Sequence, residues 1–402
     1  MGKETGKYVA ILLLGMGVSS VGAWIYLIAL NLMILKMTGS PLAVAALYMI
    51  KPLAVVCTNF WAGSLIDRMN KRRMMVLLDI IRAGLIVMLP LFTSIWPIYL
   101  LVFFISMANA MFEPTSMSYI TRLIPTEQRK RFNSLRSLID SGGFLIGPAI
   151  AGILFIVGTP VMAIYINASA MFISGLVTLL MPDLEKNHTL TQQKLSLELL
   201  KQDWRAVKQF SRKNSHVMLI YFLFSCMMVM AAAIDSLEAA FSKEVLGLSD
   251  AKYGFLVSIA GAGIVVGAVC NSVLVKKISV ALLMSGGSFA VSVGYIVYAF
   301  SDGFQGAAIG FFVLSFSLAF ANTGFQTFYQ NNIPVEVMGR IGSIYGLVEA
   351  VIVIIMVSGM GVAAQLTTIR PVVMIGTFIM LAVAVVLFQK SKRPETELVK
   401  IN

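Results

Sequence analysis

Apolar runs long enough to cross a membrane recur twelve times in the 402-residue chain, at about 8–36, 42–66, 74–95, 97–121, 133–157, 159–182, 216–243, 251–275, 279–300, 304–331, 338–365 and 370–389. A bilayer core about 30 Å thick needs roughly 20 apolar residues of helix, so each run predicts one transmembrane helix and the chain reads as all-α. The gaps between runs are short and polar, with one exception, 183–215. There Leu200, Trp204 and Val207, and Phe210 or Ser211 after them, recur at helical spacing among Lys201, Arg205 and Lys208. The spacing predicts an amphipathic helix on a membrane surface, with its basic residues toward anionic lipid; a plain disordered linker is the competing reading. Either way the chain divides into a bundle of six spans over 1–182, a linker over 183–215 and a second bundle of six with a short tail over 216–402.

The two bundles repeat. At an offset of 209 residues, Ile124, Pro125, Glu127, Arg131, Ser134, Leu138 and Gly152 return as Ile333, Pro334, Glu336, Arg340, Ser343, Leu347 and Gly361, and Asp140 returns as Glu349. Seven identities without a gap point to duplicated halves related by an axis along the membrane normal, a transporter architecture.

Charge then sets the topology. Only 12% of residues are charged, against 58% hydrophobic, where soluble domains carry about 25% charged residues. The net charge of +12 falls in short loops, which reads as topology and not as a nucleic-acid surface. If odd helices run outward from an inner N-terminus, 24 Lys and Arg lie on the inner side and 4 (Lys36, Lys243, Lys252, Arg370) on the outer. The positive-inside rule therefore predicts a multi-pass protein of the cytoplasmic membrane with both termini in the cytoplasm. The first span, without a small-residue cleavage site, reads as its own signal anchor. Cys57, Cys226 and Cys270 all lie within spans, so no disulfide framework is indicated.

The most charged turn is Gly63–Arg73, GSLIDRMNKRR, between spans two and three. Asp67 closes the incoming helix, where the helix dipole disfavours a negative charge, so a partner elsewhere is expected. Gly63, Asp67, Arg68, Lys71 and Arg72 fit the pattern G-x-x-x-D-R-x-x-[RK]-[RK]. In that loop the chain resembles the major facilitator superfamily, which implies two pseudo-symmetric six-helix bundles that rock about a central cavity. The second half lacks the turn: Asp67 falls on Lys276 and Gly63 on Ser272.

Span five holds Gly143, Gly147, Pro148 and Gly152. Glycines four and five apart let a neighbouring backbone approach, and Pro148 removes a helix hydrogen bond. The run resembles the G-x-x-x-G-P-x-x-G-G motif of superfamily members that export substrates in exchange for protons, with Ala151 in place of the first closing glycine. Thr38-Gly39-Ser40, Pro52, Asp79 with Arg82, Phe112 with Pro114, Ile124-Pro125, Asn133-Ser134 and Asn167 with Phe172 together resemble the branch of drug:proton antiporters that contains macrolide-efflux proteins and siderophore exporters. Asn167, where many members have Asp, and Lys51 depart from that pattern.

Charged side chains inside spans cost about 2.5–3.5 kcal/mol each on insertion scales, which makes them functional candidates. Asp79 and Arg82 are expected to pair with each other and with the basic turn, and Arg136 and Asp140 with one another. The proton-coupling candidates are Glu113, Asp140, Asp235, Glu238, Glu349 and Lys51. Asp235 and Glu238 share a face of the seventh span, and like charges so close favour holding a proton on one of them. Solvated acids at the outer interface are the alternative. Glu113 is either a coupling carboxyl or an acid paired with Arg122 or Arg129. Lys51 and Glu349 are expected to form an ion pair across the two bundles. Candidate substrate contacts are Asn31, Asn322, Gln326 and Gln330, whose amides need partners inside a bilayer, together with an adaptable wall of Met227, Met230 and Phe325.

No P-loop is present, and His188 and His216 lie near no cysteine, so neither ATP, a metal, another cofactor nor enzymatic chemistry is expected. The resemblance implies a secondary transporter, acting as a monomer, that exports a drug-like molecule, antibiotic or secondary metabolite in exchange for protons. Uptake or facilitated passage of a small nutrient, or a non-transporting membrane receptor, are the alternatives.

Overall fold

Helices account for nearly everything in the computed structural model, which describes residues 3–38, 41–157, 159–185 and 197–391; no strand occurs among them. That is the expected outcome where lipid offers backbone groups no hydrogen-bonding partner. The order is α1 (Lys3–Thr38), α2 (Pro41–Arg68), α3 (Lys71–Met88), α4 (Ile95–Leu123), α5 (Thr126–Val157), α6 (Pro160–Leu179), α7 (Leu197–Lys213), α8 (Ser215–Asp235), α9 (Glu238–Ala240), α10 (Asp250–Leu274), α11 (Val280–Ala299), α12 (Phe304–Asn332), α13 (Val335–Leu366) and α14 (Ile369–Ser391). Among the described residues, eleven helices are long and apolar enough to cross a membrane. The 32-residue α5, more charged in its opening turns, is the twelfth of spanning length. Large apolar side chains face outward, Leu366 at 80% exposure and Trp96 at 74%, a surface suited to lipid rather than water.

Local chemistry sets the helix starts. The Asn70 side chain accepts from Arg73 N and caps α3; Ser249 and Ser279 cap α10 and α11 in the same way. Each satisfies a backbone N–H that would otherwise lack a partner. Pro52 and Pro114 lie inside α2 and α4, where each deletes one helix hydrogen bond.

The described residues group into two compact units. The first comprises Met1–Arg129, Leu138–Phe210 and Ile333–Val351. In it α3 packs on α4 and α6, α1 on α6 and α2 on α4, around a core that includes Ile25, Ile34, Ile98 and Ile164. The second comprises Lys130–Ser137, Ser211–Asn332 and Ile352–Asn402. There α11 packs on α12 and α14, α10 on α12 and α8 on α14. A Cβ at Gly310 would sit 2.7 Å from Tyr298 N, and one at Gly287 2.6 Å from Ala321 N, so these glycines let α11 and α12 meet backbone to backbone.

Two elements differ from expectation. The seventh span, expected over 216–243, ends at Asp235, followed by the three-residue α9 and a five-residue π-helical stretch, Phe241–Val245. Ser236 Oγ donates back to Ala233 O at 2.6 Å and Leu237 N to Ile234 O, tightening the chain out of the helix. The amphipathic helix forms as α7, but its buried face is Leu199, Leu200, Asp203 and Val207, while Trp204 is 36% exposed. A carboxylate, not the indole, is what α7 turns inward.

Candidate functional site

The sharp turn between α2 and α3 gathers charge from three other segments of the first unit. Gly63 makes this possible: a Cβ there would lie 2.7 Å from Arg340 Cα and 2.8 Å from Gly339 O. Gly339 answers from α13, where a Cβ would lie 2.5 Å from Asp67 Oδ1. Through this mutual gap the Asp67 carboxylate accepts from Gly339 N at 2.8 Å, Arg340 N at 3.1 Å and Arg340 Nε at 2.7 Å. The partner that its unfavourable place on α2 called for is therefore the second turn of α13, backbone and guanidinium together.

Arg340 is shared. Its Nη1 donates to Asp203 Oδ1 of α7 at 3.0 Å. Asp203 also receives both Arg68 guanidinium nitrogens, at 2.7 and 2.8 Å, and Ser64 Oγ at 2.5 Å. Burial pushes the Asp203 carboxyl up, but the bonds from Arg68 and Ser64 and the charges of Arg68 and Arg340 outweigh it and hold it below the usual carboxylate range. Phe60 and Trp204 lie beside the cluster, ring centroids 5.9 Å apart.

A second pair of acids seats the rest of the turn. Lys71, 1% exposed, meets Glu185 Oε1 at 3.1 Å, and its own N–H donates to Glu185 Oε2 at 2.7 Å. Arg122 reaches the same carboxylate at 3.3 Å and Glu336 at 3.7 Å. Asp183 accepts from Asn70 Nδ2 at 2.7 Å and lies 3.7 Å from Arg72. Burial raises the Asp183 carboxyl too, yet the bonds from Asn70 and Glu185 N and the Arg72 and Arg73 charges bring it below its ordinary value.

Further along α3, Arg82 is ion-paired with Asp79, donates to Asn109 Oδ1 at 2.5 Å and lies 4.2 Å from the centre of the Phe112 ring. Asp79 also accepts from Ser174 Oγ at 3.1 Å. The pairing with the basic turn expected of these two residues does not occur. They join α3 to α4 and α6, because the turn's cations are already taken by Asp183, Glu185 and Asp203.

Beside this pair lies a cavity of about 520 Å³ between α1, α2 and α4, lined by Trp24, Tyr26, Asn31, Lys51, Asn109 and Glu113 among others. Among the described residues Lys51 makes neither a hydrogen bond nor an ion pair, so the expected pairing with Glu349 is absent. Lys51 turns into the cavity instead, and Glu349 is half-buried on α13. Glu113 likewise forms no ion pair with Arg122 or Arg129: Arg122 goes to Glu185, and Arg129 to the carbonyls of Ile124 and Thr121.

The motif glycines of α5 pack against α1. A Cβ at Gly147 would lie 2.5 Å from Trp24 Cβ, and one at Gly143 would collide with Ser20. Phe144 meets the Trp24 ring edge-on at 4.9 Å. The side-chain surroundings of Pro148 and Gly152, and residues 39 and 40 of the Thr38-Gly39-Ser40 motif, lie outside the described residues. Asp140 is exposed on α5.

In the second unit the seventh span ends between the two acids expected to share a helical face, and the Asp235 charge still acts on Glu238. Asp235 accepts from Tyr295 Oη at 2.7 Å, whereas Glu238, on α9, accepts from Tyr253 Oη at 3.0 Å. Of the expected apolar wall, Met227 and Met230 are buried, at 0% and 5% exposure. Phe325 stacks on Phe224 with centroids 4.1 Å apart. Gln330 accepts from Asn133 Nδ2 at 2.8 Å, an amide partnership inside the unit, and Asn322 and Gln326 are half-buried on α12.

The functional residues that sequence reasoning missed are mostly acids of the linker. Asp203 stands in line with Leu200 and Val207, and a carboxylate on an apolar stripe is the signal that would have found it. Asp183 and Glu185 carried no such mark. Trp24, Tyr26 and Asn109 join the cavity only because α1, α2 and α4 converge.

The chain's similarities agree with this geometry. An MFS-type transporter of Bacillus subtilis (strain 168), YfiS, is 25% identical over 372 residues, covering 89% of this chain and 87% of that protein. Among solved structures, a bacterial homologue of the iron transporter ferroportin in an outward-facing state superposes with a TM-score of 0.78 at 17% identity, over 96% of this chain and 100% of the other. A variant of the E. coli fucose:proton symporter, FucP, gives 0.78 at 14% identity, over 96% and 98%. At such identities these two structures speak for the fold. The family model of the Major Facilitator Superfamily matches residues 12–357, and the chain belongs to that superfamily of membrane transporters.

Proposed function

We propose that this transporter is a proton-driven exporter of a drug-like or secondary-metabolite molecule, acting as a monomer in the cytoplasmic membrane with both termini inside. The observation that carries the proposal is the cavity of about 520 Å³, a drug-sized space, in which Glu113 has no ion-pair partner among the described residues. A charged side chain at membrane depth is costly and is a functional candidate by default. The close seating of Gly143 on Ser20 and of Gly147 on cavity-lining Trp24 supports the export reading through the motif they belong to.

In this scheme 1–182 and 216–402 are the two rocking bundles, tethered by 183–215. The Asp67–Gly339–Arg340 contact closes the cytoplasmic end and must break for that end to open. Gly63, Arg68, Lys71 and Arg72 shape and hold the closed turn, and Asp79 and Arg82 brace α3 behind it. Asp235 and Glu238, each held by a tyrosine, are a second station for protons; Asp140 and Glu349 are further candidates. One proton entering down 100 mV and one pH unit supplies about 2.3 plus 1.4, roughly 3.7 kcal/mol. That supports a gradient of roughly 500-fold for a neutral substrate exchanged one for one.

Everted vesicles given an acidic lumen test the reading. A drug-like fluorescent dye should accumulate with the wild type and lose most of its accumulation with Glu113→Gln. Accumulation that survives a protonophore would overturn it.

A further inference from the structure

The cavity between α1, α2 and α4 carries two opposite charges that do not neutralise one another. Lys51 and Glu113 both line it, both are exposed to it, and no ion pair of 4.0 Å or less joins them. Each immediately precedes a mid-helix proline, Pro52 and Pro114. Pro114 cannot donate to the Ala110 carbonyl, and Ala110 is also on the cavity wall. Tyr26 is also on that wall, and its hydroxyl is buried without a hydrogen-bond partner. Arg82, the other cation within reach of Glu113, is committed to Asp79.

We propose that this cavity is a subsite for amphoteric molecules, taking an anionic group at Lys51, a protonated amine at Glu113 and the Ala110 carbonyl, and an apolar body against Trp24 and the aliphatic wall. Charged side chains at membrane depth are costly without partners, and a single ligand carrying both signs supplies both. A purely cationic ligand leaves Lys51 unpaired and like-charged to it; a purely anionic one does the same to Glu113. The volume sits in the range of cavities that enclose a drug-sized ligand. Because the ammonium group and the coupling proton call on the same carboxylate, this inference rests on the export reading for its mechanism, though not for the binding itself.

The test uses three fluorescent probes that share one body: Nε-dansyl-lysine, a zwitterion; its methyl ester, a cation; and its Nα-acetyl derivative, an anion. Binding to the full-length protein in nanodiscs, with no gradient present, should favour the zwitterion over either relative by roughly tenfold, the scale of one charge-assisted contact. Lys51→Met should bring zwitterion and ester to equal affinity. Glu113→Gln should do so for zwitterion and acetylated probe, with an unchanged melting temperature showing that each variant is folded. Equal binding of all three probes to the wild type overturns the subsite, and so does a ranking unaltered by both substitutions. The two readings fail separately: a correct ranking without gradient-driven flux counts against export alone, whereas gradient-driven flux of the ester as fast as the zwitterion counts against the subsite alone.

Discussion

Asp67 holds α13 by two kinds of contact, backbone N–H groups and a guanidinium. Asp67→Asn keeps an acceptor for Gly339 but leaves Arg340 with the Asp203 carboxylate alone, and removing one partner of a buried ion pair is destabilising. Transport by Asp67→Asn is expected to fall by roughly tenfold or more, a loss of at least about 1.4 kcal/mol in the working cycle, measured as substrate flux in proteoliposomes. Gly63→Ala tests the geometry without touching charge. Its methyl would press on Arg340 Cα at 2.7 Å, and overpacking of this kind costs about 1–3 kcal/mol. A spin-label distance from the end of α2 to the start of α13 should lengthen in Gly63→Ala, while Gly84→Ala, where a Cβ meets nothing within 4 Å, should leave it unchanged. Asp67 was legible from sequence because a carboxylate at a helix C-terminus conflicts with the dipole. Lys71 was legible as a cation of the motif but its surroundings were not: it is 1% exposed and bonded to Glu185.

At the scale of elements, α7 is a bound strap. Its inner face meets the first unit through Asp203, held by Arg68, Arg340 and Ser64. Because Asp203 is held below its unfolded value, its contribution is fully present above about pH 4, the unfolded carboxylate value. It is lost as pH falls through the lower folded value; Asp183 behaves in the same sense. Lowering pH below about 4 should therefore release α7, read as a red shift of fluorescence in a variant that keeps only Trp204 among the tryptophans. Asp203→Asn should show that shift already at pH 7. Glu185→Gln strands Lys71 in a buried site, and its melting temperature should drop. The helices themselves were readable from apolar run length. What run length could not show was the end of the seventh span at Asp235, where Ser236 and Leu237 bond back to Ala233 O and Ile234 O, and the inward face of α7, which depends on Arg340 far along the chain.

For the whole molecule, the repeat at offset 209 explains why the contact of α13 is charged and the equivalent one of α5 is not. Arg340 and Arg131 are equivalent by that offset, but Asp67 corresponds to Lys276, so only α13 finds a carboxylate. In the second unit the opening turns of α5 dock instead through Lys130 Nζ donating to Ile278 O at 2.7 Å and Asn133 donating to Thr327 and Gln330. Membership of the superfamily was legible in the Gly63–Arg72 pattern.

The central claim is that substrate movement and proton movement are one process. Proteoliposomes holding a lumenal pH dye, with membrane voltage clamped by potassium and valinomycin and no initial pH difference, should show proton flow opposite to an imposed substrate gradient. Glu113→Gln should abolish that proton flow. Substrate crossing at the wild-type rate with no change in lumenal pH would contradict the account.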